Sequence, residues 1–102
     1  MIRAGFRYPQ SGAARFTIKG HAEFAEAGSD IVCAAVSSAA YLAANTVTEI
    51  LGVQAAAEDK NGYMNFEFSG SEEAARIVKG LELHLTMLAE QYPGCIKIST
   101  EV

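Results

Sequence analysis

Tryptophan is absent from this 102-residue chain, and cysteine, histidine and proline occur only twice each. A structural zinc site takes about four ligands, and only two, His21 and Cys33, are evident near one another, so neither a metal nor a cofactor held by one is predicted. Two cysteines also cannot build a disulfide framework. Cations are outnumbered, eight Lys and Arg against twelve Asp and Glu, for a net charge of −4. Without a local basic run, a phosphate backbone is not an expected partner, and direct nucleic-acid binding is not predicted. No phosphate-cradling glycine loop followed by Lys-Ser/Thr is present. Nor does any stretch approach the roughly 18 apolar residues of a membrane span. The start, MIRAGFRYPQ, lacks the apolar core of a secretory signal. These absences predict a cytoplasmic protein with no membrane partner, its thiols reduced and Cys33 and Cys95 unpaired.

Half of the residues are apolar, enough for a single domain over 1–102 with no internal boundary. Ile2, Ala4, Phe6 and Tyr8 alternate with polar or small residues, the period-two pattern of a half-buried strand. Ala14, Phe16 and Ile18 repeat it after the turn residues Pro9 to Gly12. From Asp30 the period changes: Val32, Val36, Ala39, Ala43, Val47 and Ile50 mark one face of a long helix over Ile31–Leu51. Val53–Glu58 reads as a strand, and Asn61-Gly62 as a hairpin turn before Met64, Phe66 and Phe68. Ser71 caps a second helix with Glu72 and Glu73 in its first turn, ending at Pro93-Gly94. Ile96, Ile98, Thr100 and Val102 form a closing strand. The order β-β-α-β-β-α-β predicts an α+β, two-layer fold: a five-stranded mixed sheet with two helices on one face.

His21 ends the second strand, and Cys33 lies near the predicted start of the long helix. With Asp30 as helix cap, Ile31, Val32 and Cys33 become the first helical positions. The thiol then lies beside unpaired backbone N–H groups and the positive end of the dipole, a setting that favours a thiolate. Those N–H groups would also serve a developing oxyanion. The segment Glu23–Ser29, including Phe24, Glu26 and Gly28, reads as a lid loop able to bring His21 over the thiol as base and then acid. By themselves, such residues usually have a bland reading, in which Cys33 is a small buried hydrophobe and His21 a surface residue. A non-catalytic dimeric module that binds another protein is the corresponding alternative function. Cys95, with no acid or base beside it, and His84, between two leucines, read as structural. Phe24 and Tyr41 are candidates for an apolar substrate pocket.

The blocks GHA and AGSDIVCAAVSS, together with the start MIRAGF, resemble the bacterial ribosomal-processing cysteine protease family. The resemblance implies a cytoplasmic α+β cysteine endopeptidase that forms homodimers. It also implies a substrate, the large-subunit ribosomal protein twenty-seven, from which an N-terminal extension is removed after an aromatic-ended apolar stretch. Carried onto this sequence, the family's histidine falls on His21 and its nucleophile on Cys33. Asp30 matches the motif's aspartate, in a supporting or capping role.

Overall fold

The structure, a computed structural model, describes residues 1–20 and 26–101, and side chains over 1–20 and 31–101. The elements are β1 (Ile2–Arg7), β2 (Ala14–Lys19), α1 (Glu26–Asn45) with a π-helical turn (Thr46–Ile50), β3 (Ala56–Lys60), β4 (Tyr63–Phe68), α2 (Glu72–Gln91) and β5 (Ile96–Glu101). The five strands form one sheet in the order β3-β4-β2-β1-β5. Among the described residues only β1 and β5 run parallel; the other three pairings are antiparallel.

Strand alternation sends Ile2, Ala4, Phe6, Ala14, Phe16, Phe66, Phe68 and Ile96 to the helix side, all buried. Phe6, Phe16 and Phe66 are register partners across three adjacent strands, with ring centroids 6.2 and 5.4 Å apart. Such cross-strand aromatic neighbours stabilise a sheet beyond the area they bury. Onto this layer pack Val32, Val36, Ala40, Ala43 and Val47 of the first helical segment, and Ala74, Val78, Leu81 and Leu85 of α2. Their three- and four-residue steps are the helical counterpart of the strand pattern. The two helices therefore cover one sheet face, as the periodicity predicts.

Three local predictions are corrected. α1 begins at Glu26, so Asp30 lies within the helix instead of capping it, and Glu26, Gly28 and Ser29 are helical instead of loop. Gly28 reads as a breaker in sequence, but a glycine inside a helix costs only about 1 kcal/mol. Glu23 and Phe24 lie outside the described residues. At its far end the helix widens into the π turn, with Leu51 N–H donating to the Thr46 carbonyl at 2.9 Å. The Thr46 and Thr48 hydroxyls donate back to the carbonyls of Leu42 and Ala44, a competition with the backbone ladder that favours such irregularity. β3 begins at Ala56, three residues later than Val53, because pairing is counted from the turn: Lys60 opposes Tyr63 across Asn61-Gly62. Only Gly62 there has a positive φ, 75°, so the turn is not the I′ form, which needs positive φ at both positions.

Ile31–Ile50 also has a mean hydropathy of 1.5, apolar and long enough by composition to cross a membrane. This corrects the expectation that no stretch approaches that length: scattered Ser and Thr break the run, while the many alanines raise the average. Here the segment is the core helix of the domain, its Val32, Val36, Ala40 and Val47 packed against the sheet side.

Candidate active site

Cys33 stands on α1 seven residues beyond Glu26, past the first turn to which the helix dipole and unpaired N–H groups are confined. Its own N–H belongs to the helical ladder. The predicted first-turn setting, and an oxyanion site made by the Cys33 backbone, are therefore not what the fold provides. The reason is the early start of α1.

What the fold does provide is a cleft. Cys33, half-buried, lines a cavity of about 450 Å³ between α1, the ends of β1 and β2, and the β3–β4 hairpin. Its apolar floor is Ile2, Ile18, Val36, Ala40 and Met64, and its rim includes Gly20, Asn61 and Gly62. The floor suits an apolar side chain, and the rim offers backbone polar groups.

Two contacts hold the walls. Tyr41, four residues past Ser37 on α1, donates its hydroxyl to Asp59 Oδ2 of β3 at 2.5 Å, tying helix to hairpin beside the cleft. Hydrogen bonding to Asp59 is the main cause that raises the Tyr41 phenol above its ordinary value. On the other side Gly20 N–H donates to the Gly62 carbonyl at 2.9 Å. Gly20 has φ +88°, and a Cβ there would lie 2.6 Å from the Met1 carbonyl oxygen. Glycine is thus required at the residue that directly precedes His21.

Of the predicted site residues, Cys33 and Tyr41 are brought to one cleft, and His21, Glu23 and Phe24 lie outside the described residues. Cys95 is 2% exposed in the core, its Sγ 4.0 Å from the Pro93 carbonyl. Neither cysteine is in a disulfide. His84 is exposed on α2 and lines a different groove, with Ala39 and Leu42. Sequence reasoning missed the hairpin wall. Asp59, Asn61 and Gly62 gave only a turn signal and Met64 only a strand signal, because nothing in the chain order says that β4 docks beside β2.

The sequence matches the family described as Cysteine protease Prp over residues 1–97. The ribosomal processing cysteine protease Prp of Bacillus subtilis is 30% identical over 111 aligned residues, covering all of this chain and 99% of that protein. Among solved structures, the ribosomal processing protease Prp of Staphylococcus aureus, bearing a covalently linked product peptide, matches with a TM-score of 0.84 at 23% identity. That match covers 99% of this chain and 100% of the other, and shows the shared fold. A Streptococcus mutans protein matches with a TM-score of 0.76 at 29% identity over 99% of both chains. A whole-chain family match, a half-buried thiol at an apolar cleft and the fold of a peptide-bound protease converge: this chain belongs to the Prp cysteine protease family.

Proposed function

We propose that the chain is an endopeptidase in which Cys33 Sγ attacks a scissile carbonyl and His21 takes the thiol proton. His21 then protonates the leaving amine, and water hydrolyses the thioester. The observation that carries this reading is the placement of Cys33 in the cleft whose rim includes Gly20. One peptide unit of about 3.8 Å between α-carbons separates Gly20 from His21. Because Cys33 lies beyond the first helical turn, its activation rests on the imidazole and not on the helix dipole. Asp30, on the same helix, has a positioning role in this reading.

The substrate is the N-terminal extension of large-subunit ribosomal protein twenty-seven, cut in the cytoplasm. The apolar floor of Ile2, Ile18, Val36 and Met64 favours an apolar or aromatic side chain ahead of the cut. The active form is a homodimer. Ile31, Leu42, Ile50, Leu83 and Met87 are all at least 59% exposed on the outer side of the helix layer, an apolar surface suited to a second copy.

Incubation with a peptide spanning the extension's junction tests the reading. Wild type cleaves it, while Cys33→Ala and His21→Ala lose at least about 10³-fold in kcat/KM. Cys95→Ser keeps cleavage and loses stability, by roughly 1–3 kcal/mol for a hydroxyl in an apolar site. Equal persistence of the peptide with wild type and Cys33→Ala would refute the assignment.

A further inference from the structure

The sheet face turned away from the helices carries a charge pattern that the chain order conceals. Arg3 pairs with Lys19 on one side and Lys97 on the other, and Arg7 pairs with Arg15. Five of the chain's eight cations thus stand on adjacent strands of one face. Only Glu67, opposite Arg15, and Glu101, opposite Arg7, oppose them there, a surplus of three positive charges on a chain of net −4. At the sheet edge Lys60 and Glu58 neutralise each other at 3.0 Å.

Like charges directly opposite on neighbouring strands destabilise a sheet. No ion pair among the described residues relieves Arg3, Arg7, Arg15, Lys19 or Lys97. At the centre of the face Gly5 leaves a dip, its missing Cβ position 3.2 Å from Thr17 Oγ1 and 3.5 Å from Ser99 Oγ. The shallow depression there, about 140 Å³, is lined by Arg7, Arg15, Thr17, Lys19, Tyr63 and Glu101. Asn65 Oδ1 accepts from Arg15 Nε at 2.9 Å, orienting the guanidinium. Lys19 Nζ stands 5.8 Å from the Tyr63 ring centroid.

We propose that this face binds the phosphate backbone of single-stranded RNA, with one phosphate seated over Gly5 between Arg7, Arg15 and Lys19. Arg7, Arg15, Lys19 and Thr17 line the depression beside one carboxylate, Glu101, and guanidinium forks fit a phosphate with several acceptor oxygens. Cations on three adjacent strands continue the track at strand spacing, about 4.8 Å, and Tyr63 offers a ring on which a base stacks. The surface lies on the opposite side of the sheet from the helices, and Tyr63 borders both the depression and the Cys33 cleft.

Fluorescence anisotropy with a fluorescein-labelled single-stranded RNA of mixed sequence tests the proposal. Binding is expected at low salt, with log K falling linearly in log salt at a slope of about −2 to −3.5 for three to five phosphate contacts. Arg7→Gln/Arg15→Gln weakens binding at least about tenfold and reduces the slope by about 1.4, while cleavage of a short peptide is unchanged. Lys97→Gln, on an exposed edge, supplies a second variant with a smaller loss in the same direction. Arg76→Gln/Lys79→Gln, the same charge change on the helix side, leaves binding within about twofold. The proposal fails if wild type shows no salt-sensitive binding, or if the helix-side variant loses as much. It also fails if polyglutamate of matched charge displaces the RNA at equal concentration, which would make the face a site for acidic polypeptide.

Discussion

At the scale of single residues, glycine and cysteine do the work that their neighbours could not. Gly20 meets two demands at once, a φ of +88° and a distance of 2.6 Å between its virtual Cβ and the Met1 carbonyl oxygen. Either would strain an L-residue, and backbone cannot yield as a flexible side chain does. Gly20→Ala is expected to cost at least about 2 kcal/mol and lower the melting temperature by about 10 °C. Because Gly20 rims the cleft, cleavage falls further than stability alone accounts for. Paired thermal melts and kcat/KM values measured well below the melting temperature check both parts. The proposed catalytic pair was legible as residue types, since His21 and Cys33 stood out among two of each. The environment of the thiol was not, because it depended on where α1 begins.

At the scale of elements, contacts between α2 and the strands hold the layers together. Tyr8, just past β1, donates its hydroxyl to Glu82 Oε1 of α2 at 2.6 Å, and Thr100 of β5 donates to Glu82 Oε2. Burial first, and then the bond to Glu82, push the Tyr8 phenol above its ordinary value. A group whose folded pKa is raised contributes stability that is intact below the unfolded pKa, about 10, and is lost as pH rises toward the folded value. Wild type is therefore expected to lose urea stability as pH climbs above about 10, and Tyr8→Phe to lose less over the same window. Some slope persists in the variant because Tyr41 is shifted in the same direction by Asp59. Urea melts of both proteins on either side of that pH decide it. The capping of α2 was legible residue by residue: Ser71 Oγ accepts from Ala74 N–H at 3.0 Å, with Glu72 and Glu73 following. The start of α1 was not, since glycine and serine are only weak stop signals within a helix.

At the scale of the whole molecule, two faces remain uncovered, one apolar and one cationic. Leu42 is 70% exposed and Leu83 64%, both in the helix layer. In the proposed dimer, Leu42→Glu places a charge in an apolar interface, and the double variant Leu42→Glu/Leu83→Glu should shift the protein to monomer. Sedimentation velocity over a concentration series measures this, with dissociation expected at least about a hundredfold more favourable. An unchanged dimer would place the interface elsewhere.

The sequence by itself determined the element order, the buried stripes and the α2 cap, because these follow from side-chain period and local hydrogen bonding within a few residues. It also singled out His21 and Cys33, by rarity and by motif. Tertiary structure alone decided which strands are neighbours, and so put the β3–β4 hairpin across the cleft from Cys33. It likewise gathered Arg3, Arg7, Arg15, Lys19 and Lys97, scattered along the chain, onto one face. Strand pairing depends on burying a shared core between distant segments, and no local pattern encodes which distant segment will supply the other side.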